Sequence, residues 1–330
     1  MIHGTHFQVS AVDVFPSGKI WGPWLWYLND GSLPDAAKRS KAEFSEWPYK
    51  WFDNAAYQTR GTVKGKLMLS DGRPASNAAV FLGDNHPSKT ALDMGSDYYY
   101  TGYADAHGNF EFKEVRVGSY GLQAWSNGSK IADVTTSFLQ NDVVVRKSKT
   151  TDVKTLTWQV SRKAKLFQVG DFDRTSYGFA YGGSPYAHGA SELCPANITY
   201  TYGKSKTSQW CFAQSKLGNW TIGFDAPASA KDATLIVSLA GYSTGVSAEI
   251  LVNDVKVGNL TSGITGSDPS TGLLNDPSVY RSGTTAGEWR YFEFPVAGKL
   301  LKKGKNDVKF WVTRNSTWHG LMWDSVVLER

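Results

Sequence analysis

Residues 19–52 read KIWGPWLWYLNDGSLPDAAKRSKAEFSEWPYKWF, and this stretch holds five of the thirteen tryptophans of the 330-residue chain. Its first part, Ile20 to Tyr27, is dense in aromatic and apolar side chains, which predicts a buried strand. Asn29-Asp30-Gly31 follows, and these residue types tolerate the left-handed and turn conformations that a reversal of the chain needs. The sequence therefore predicts an aromatic strand that ends in a turn.

A helix is predicted from Pro34 to Glu46. Pro34 suits the first turn of a helix, and Asp35 places negative charge where the helix dipole favours it. The helix is expected to end at Trp47, because a residue that precedes a proline disfavours the helical conformation. The aromatic residues that follow this helix need a surface to pack on. The residues before this stretch are too few to form a core. We therefore expect the stretch to be the last part of a larger domain, most of which the sequence does not contain.

The overall composition favours β-structure and an anionic partner. Aromatic residues make up 14% of the chain and there are 33 glycines, which suits β-sandwiches and surfaces that stack against sugars. The net charge of +5 suits either nucleic acid or an acidic polysaccharide. The positive charges are scattered and form no basic helix or arginine-rich tract, so nucleic acid is the weaker interpretation. No stretch is long and apolar enough to predict a membrane span.

Short alternating segments separated by turn residues continue from residue 57 to the end of the chain, which indicates an all-β protein made of sandwiches. The predicted domains are the end of a first β-sandwich with a linker helix over 1–56, a small sandwich over 57–160 and a larger one over 161–330. A strand over 151–160 is expected to close the small sandwich. The main strands predicted for the larger sandwich lie at 219–225, 233–239, 248–254, 289–294, 306–312 and 320–328.

Several of these segments also carry a resemblance to a known family. Histidine and phenylalanine at 6 and 7, K-I-W-G-P-W-L-W-Y-L-N at 19–29, the short helix and W-P-Y-K-W at 47–51 resemble the end of the catalytic β-sandwich of the rhamnogalacturonan lyases. These are secreted enzymes that cut the pectic backbone by β-elimination. G-x-V, D-x-x-G-x-F and V-x-x-G-x-Y between residues 61 and 120 resemble the family's fibronectin type III-like domain. F-Q-V-G-D-F-D-R-T at 167–175 resembles the start of its jelly-roll, carbohydrate-binding-like domain. The resemblance covers nearly the whole chain.

The resemblance implies two site residues. His6 matches the position of the family's catalytic histidine, although a strand histidine without a role is the alternative. Eliminative cleavage needs a base to take the proton beside the uronate carboxyl and an acid for the leaving oxygen, and histidine serves either task near neutral pH. The family's partner lysine lies upstream of what this sequence contains, so the chain alone is expected to be inactive. Arg281 matches a jelly-roll arginine, which implies a bidentate contact with a galacturonate carboxylate, unless it is a solvated loop arginine.

Cysteines and glycosylation sequons point to the cell exterior. The chain has two cysteines, Cys194 and Cys211, and the alternatives are two buried thiols or one disulfide. N-x-S/T sequons favour an extracellular setting, in which we expect a disulfide that adds roughly 3 kcal/mol of stability. The first residues lack the apolar core of a signal peptide. We predict a secreted, monomeric glycoprotein. Its sequons are at Asn127, Asn197, Asn219, Asn259 and Asn315.

Other candidate motifs are weaker. The G-x-S-x-G match at 241–245 precedes a predicted strand instead of the helix that a hydrolase elbow requires, so we interpret it as a hairpin turn. The absence of HExxH, CxxC and phosphate-binding loops gives no support to metal or nucleotide chemistry. No cofactor is predicted, and a structural calcium is left open. The histidines at 86, 107, 188 and 319 receive no role. Trp210, Tyr242 and Trp318 are expected either to stack on sugars or to form the sandwich core.

Two functions follow from the sequence. The first is a rhamnogalacturonan endolyase that acts on an acidic pectic polysaccharide, as the resemblance implies. The second is a non-catalytic secreted carbohydrate-binding protein made of two sandwich modules. Neither function involves nucleic acid or a membrane as a partner.

Overall fold

The computed structural model describes residues 20, 22–84, 98–228, 231–243, 245–261 and 276–330. Strands account for 46% of the chain, which confirms the predicted all-β class. The chain forms two compact units. Unit 1 comprises the described residues within Met1–Trp125 together with Ser137–Gln159, and unit 2 comprises Ser126–Thr136 together with the described residues within Val160–Arg330. The predicted limits 1–56, 57–160 and 161–330 stay a prediction.

The two α-helices of the described residues lie in unit 1: α1 at Leu33–Glu46 and α2 at Ala55–Gln58. The Ser32 hydroxyl caps α1 by accepting a hydrogen bond from the Asp35 amide, at 3.3 Å. At the other end, Trp47 takes an extended conformation, which ends the helix. The predicted helix and its C-terminal end are therefore confirmed.

The predicted buried strand over Ile20 to Tyr27 is wrong. The described residues of this segment form no strand, and Trp24 and Trp26 are 78% and 88% exposed. A strand needs a neighbour to satisfy its backbone hydrogen bonds, and none of the described strands pairs with this segment. The turn that follows is present, because the Gly31 amide donates to the Asn29 side-chain oxygen at 3.3 Å.

Unit 1 is a sandwich of two sheets. The first sheet has the order β4-β1-β7, with β1 and β7 parallel, and the second has the order β3-β2-β5-β6. Val63 and Leu67 from the first sheet and Leu82 and Leu122 from the second are fully buried. The strands are β1 Arg60–Leu69, β2 Ala79–Asp84, β3 Tyr99–Tyr103, β4 Asn109–Arg116, β5 Gly118–Trp125, β6 Phe138–Val145 and β7 Thr150–Trp158.

Unit 2 is a larger sandwich of two five-stranded sheets. One has the order β10-β17-β12-β15 with β8 also paired to β17, and the other has the order β14-β13-β16-β11-β9. Each main strand predicted for this part of the chain has a counterpart in these sheets. The strands are β8 Lys165–Val169, β9 Ile198–Thr201, β10 Ala213–Gln214, β11 Gly218–Ala226, β12 Ala233–Tyr242, β13 Ser247–Val252, β14 Val255–Thr261, β15 Arg290–Val296, β16 Gly304–Arg314 and β17 Leu321–Glu329.

The core of unit 2 is built around one tryptophan. The Trp210 ring lies edge-on to Trp220 at 5.0 Å and to Trp323 at 5.7 Å between ring centroids. Edge-to-face contacts of this kind stabilise beyond the area they bury. The neighbouring Cys211 forms the predicted disulfide with Cys194, with 5.8 Å between the two Cα atoms.

The buried carboxyl group of Asp324 holds the segment that follows β8. One oxygen of Asp324 accepts from the backbone amides of Asp173 and Arg174, at 3.0 and 2.9 Å, and the other accepts from the Ser238 hydroxyl. Burial raises the pKa of Asp324 because it disfavours the charged form. The segment after β8 is thereby attached to the neighbouring strands β12 and β17.

Candidate functional site

Three loops of unit 2 meet where β16 ends and β17 begins. They are residues 181–189, 278–284 and 315–320. The Gly183 amide donates to the Thr284 carbonyl at 2.6 Å, and the Gly189 amide donates to the Ser282 hydroxyl at 3.1 Å. The Ser191 hydroxyl donates to the carbonyl of Trp318 at 3.3 Å. Hydrogen bonds therefore connect the first loop to the second, and the short 3-10 turn Ala190–Leu193 that follows the first loop connects to the third.

Four rings from these loops form one continuous surface, which we call the aromatic patch: His188, Tyr280, Trp318 and His319. His188 lies edge-on to Trp318, with 4.2 Å between centroids, and Tyr280 stacks on His319 at 5.1 Å. Tyr280 and Trp318 are 6.0 Å apart and tilted by 38°. Tyr280 is 40% exposed and His188 is also exposed, so the patch faces solvent.

The position of Trp318 imposes two backbone constraints. Trp318 itself has a φ of +64°, which a bulky side chain rarely adopts, and such strain is concentrated at functional sites. Its indole packs against Gly189, where an added Cβ would lie 2.9 Å from the indole nitrogen. Gly189 has a φ of +73°, so glycine is favoured here by conformation as well as by space.

A second buried carboxylate shapes the loop that carries Tyr280. Asp276 accepts from the Ser278 amide and hydroxyl at 2.9 and 2.8 Å and from the Glu288 amide at 3.1 Å. The Tyr280 amide donates to the Ser243 hydroxyl at 2.8 Å. These hydrogen bonds hold the turn that follows Asp276 from both sides. They therefore fix the backbone position of Tyr280.

Arg281 comes directly after Tyr280 in this turn and is exposed. Its backbone amide donates to the Pro277 carbonyl at 2.8 Å. Within the part of the chain that the structure describes, its guanidinium makes no ion pair and no hydrogen bond. The guanidinium is therefore available to an anionic ligand, and the residue is adjacent in sequence to Tyr280 of the aromatic patch.

The hydrogen bonds of His319 define which nitrogen it offers. Its Nδ1 lies 2.8 Å from the Thr317 carbonyl oxygen and 2.6 Å from the Ser316 hydroxyl. A carbonyl only accepts hydrogen bonds, so the contact with Thr317 is a hydrogen bond in the tautomer that carries the proton on Nδ1. Nε2 is then an acceptor for a hydroxyl group of a ligand.

The sequence left three aromatic residues as either core or sugar-stacking residues, and the structure divides them into core and surface positions. Trp210 and Tyr242 are fully buried core residues, whereas Trp318 belongs to the patch. Tyr280, His188 and His319 were missed, because each is an isolated aromatic or histidine in a loop. The pairs Tyr280-Arg281 and Trp318-His319 were the only local signal for them.

Two further predictions concern catalytic residues. His6 lies outside the described residues, so its catalytic role stays a prediction. Ser243, the serine of the G-x-S-x-G match, is fully buried and its hydroxyl accepts from the Tyr280 amide, so it is not placed as a nucleophile. The predicted hairpin at this match is wrong, because β12 and β13 belong to different sheets and the connection crosses between them.

The predicted glycosylation sites differ in accessibility. Asn197 and Asn259 are exposed, whereas Asn127, Asn219 and Asn315 are partly buried. The side-chain oxygens of Asn219 and Asn315 are buried without a hydrogen-bond partner. Exposure favours Asn197 and Asn259 as acceptors, and glycosylation of all five stays a prediction.

The described residues contain no group of three or more histidine, cysteine, aspartate or glutamate side chains arranged to hold a metal ion. In the same residues, no helix combines the length and the apolar character needed to cross a membrane.

Two β-sandwich units, the second with an aromatic patch on its loops, define a modular all-β class of protein. Residues 70–153 match the sequence model described as polysaccharide lyase family 4, domain II, and residues 165–328 match its CBM-like domain III. The two units therefore belong to polysaccharide lyase family 4, as its domains II and III. This confirms the resemblance and the predicted order of a fibronectin type III-like domain before a carbohydrate-binding-like domain.

Relatives with a described activity point to the same family. The chain is 27% identical over 317 residues to a rhamnogalacturonate lyase of Dickeya dadantii, covering 92% of this chain and 52% of that protein. It is 25% identical over 352 residues to a probable rhamnogalacturonate lyase C of Aspergillus oryzae, covering 88% and 49%. The chain thus spans about half the length of the curated relatives it matches. Among solved structures, a family 35 carbohydrate binding module from an environmental isolate overlays 34% of this chain and 65% of that chain, with 18% identity and a TM-score of 0.23, which is too low to support an argument.

Removal of the Asp276 carboxylate is predicted to destabilise unit 2. In Asp276→Ala, the amides of Ser278 and Glu288 lose a buried acceptor, which should lower the free energy of unfolding by about 1–3 kcal/mol. Urea denaturation followed by tryptophan fluorescence measures the change. The control is Asp225→Ala, which removes an exposed carboxylate on β11 and should change the free energy by less than about 0.5 kcal/mol. Equal stabilities of the two variants would contradict the role given to Asp276.

Proposed function

We propose that the aromatic patch and Arg281 bind an acidic pectic polysaccharide, and that the whole enzyme is a rhamnogalacturonan endolyase. The observation that carries this proposal is the cluster of four rings on hydrogen-bonded loops. Arg281 follows Tyr280 of this cluster in the sequence, and its guanidinium has no acidic partner among the described residues. The family assignment and the rhamnogalacturonate lyases among the relatives support the choice of substrate.

Each chemical feature of the polymer has a counterpart in the site. The apolar faces of sugar rings pack on accessible indole and phenol faces, which the exposed Tyr280 and the half-buried Trp318 supply here. A galacturonate carboxylate matches the planar fork of a guanidinium, which forms two parallel hydrogen bonds to it. Nε2 of His319 accepts a hydrogen bond from a hydroxyl. A polymer that alternates rhamnose and galacturonate presents all three features.

The patch binds the substrate, and the proposed cleavage lies elsewhere in the enzyme. In β-elimination, a base removes the proton beside the uronate carboxyl, an acid protonates the leaving oxygen, and the new chain end carries an unsaturated uronate. His6 is proposed as one of the two groups. The lysine that the resemblance implies as its partner matches no residue of this sequence.

Secretion and glycosylation are part of the proposal. The Cys194–Cys211 disulfide supports an oxidising compartment, because disulfides persist in secreted proteins and are rare in the cytosol. The exposed sequons at Asn197 and Asn259 are in keeping with the same location.

A non-catalytic carbohydrate-binding protein is the second candidate. It is favoured by the position of the patch, whose residues all lie in the described part of unit 2 and which needs no residue of the proposed catalytic pair. Binding is common to both candidates, and cleavage by the whole protein distinguishes them.

Replacement of Arg281 should weaken polymer binding without unfolding unit 2. A charge-assisted contact contributes about 1.5–3 kcal/mol, so Arg281→Ala should lower the affinity for rhamnogalacturonan about tenfold or more. Arg281→Lys should recover only part of the affinity, because lysine lacks the planar fork. Affinity electrophoresis or calorimetry measures the effect.

The matched control for Arg281 is Lys303→Ala. Lys303 is exposed just before β16, whereas the patch loop 315–320 follows the end of that strand. Loss of a positive charge there should leave binding unchanged. If Arg281→Ala binds as tightly as the wild-type chain, Arg281 is a solvated loop residue.

The 330-residue chain by itself should not cleave rhamnogalacturonan, because the implied catalytic lysine has no counterpart in the sequence. Absorbance of unsaturated uronate products should stay at the level of a heat-killed control, while the chain still binds the polymer. A steady rise in absorbance with the purified chain would place a complete eliminative site within these residues.

A further inference from the structure

Two arginines of unit 1, Arg60 and Arg116, lie over aromatic rings and have no acidic partner among the described residues. Arg60 is only 8% exposed, and its guanidinium carbon lies 4.7 Å from the ring centroid of Trp47 and 4.6 Å from that of Tyr57. Arg116 lies over the ring of Tyr98 at 4.1 Å. Aromatic faces stabilise these cations, but they leave the N–H groups at the edge of each guanidinium unused.

The hydrogen-bond donors of both guanidiniums are largely unsatisfied. Nη1 of Arg60 donates to the Glu114 carbonyl at 2.7 Å, while its Nε is buried and has no partner. Within the described residues, the Arg116 side chain donates no hydrogen bond, and its backbone is held by the hydroxyls of Tyr100 and Tyr120. A buried donor without an acceptor is unfavourable, so an anion that satisfied it would bind favourably.

Both arginines line a single cavity of about 200 Å³. Its described lining includes tyrosines and a tryptophan but no aspartate or glutamate. Both guanidiniums lower the pKa of the Tyr57 hydroxyl, although burial raises it more, which places both positive charges near that one group. The cavity therefore combines two positive charges, unsatisfied donors and aromatic walls.

We propose that this cavity is a second binding site of the chain, which takes the carboxylate of one galacturonate residue. This proposal rests on the proposed function in one respect, which is that the polymer is acidic. Two guanidiniums supply fork-shaped donors that match a planar carboxylate. Sites for larger ligands occupy roughly 300–1,000 Å³, so the smaller volume suits a single sugar residue. Tyr99, which is exposed at the cavity and stacked on Phe81 at 5.7 Å, offers a ring for the sugar face.

The test uses the full 330-residue chain carrying Trp318→Ala and Arg281→Ala, which together disable the aromatic patch and the carboxylate contact proposed for unit 2. Calorimetry with sodium digalacturonate should show binding, and galactobiose, which lacks the carboxylates, should show none. Adding Arg116→Gln should lower the affinity for digalacturonate about tenfold or more. Arg116→Lys should retain an intermediate affinity, because the charge remains while the fork is lost. Arg146→Gln, an exposed arginine of unit 1 outside the described lining, is the matched control and should change nothing.

A measurement on the unmutated site guards against a folding defect in Arg116→Gln. The Trp47 indole lies on Arg60, so its NMR signal should shift when digalacturonate is added to the chain with an intact cavity. No binding of digalacturonate, equal binding of inorganic sulfate, or an equal loss in Arg146→Gln would each overturn the proposal. Weaker binding of rhamnogalacturonan to the single variant Trp318→Ala tests the proposed function separately, since the cavity of unit 1 is intact in that variant.

Discussion

The edge-to-face packing of Trp210 against Trp220 and Trp323 is the interaction on which the rest of unit 2 depends. Trp220 lies on β11 and Trp323 on β17, so the cluster joins the two sheets of the sandwich. Phe310 of β16 adds a fourth ring, 4.7 Å from Trp323. Replacement of one such buried ring by alanine typically costs about 3–5 kcal/mol, a large part of the stability of a domain.

This core also determines where the aromatic patch can form. Phe310 and Trp323 flank the segment 315–320, which leaves one sheet at the end of β16 and enters the other at β17. Trp318 and His319 are carried on that crossing. Asp276 shapes the loop that carries Tyr280 through hydrogen bonds, and Gly189 allows its loop to lie against Trp318 because it has no side chain. A rigid core with hydrogen-bonded loops presents its rings in fixed positions, which lowers the ordering cost of binding.

Local chemistry explains what the sequence predicted well. The limits of α1 follow from Ser32, Pro34 and Trp47, which act within one turn of the helix, and the strands of unit 2 follow from their alternation. Pairing is nonlocal, and there the predictions failed. The side chains of the aromatic run 20–27 favour burial, but the sequence does not indicate which surface they would pack against. In the same way, the turn after β12 does not indicate that β13 joins the opposite sheet. The patch unites residues 188 and 318, whose proximity depends on the whole sandwich.

The most direct test of the account follows the indole signals of the chain by ¹H–¹⁵N NMR during titration with a rhamnogalacturonan oligosaccharide. Trp311 is 44% exposed on β16, outside the patch, and serves as an internal control. The account predicts that the Trp318 signal shifts in proportion to saturation, while Trp311 and the buried Trp210 and Trp220 do not move. An oligosaccharide that binds without shifting Trp318 would contradict the central claim that the aromatic patch of unit 2 is the polymer-binding surface.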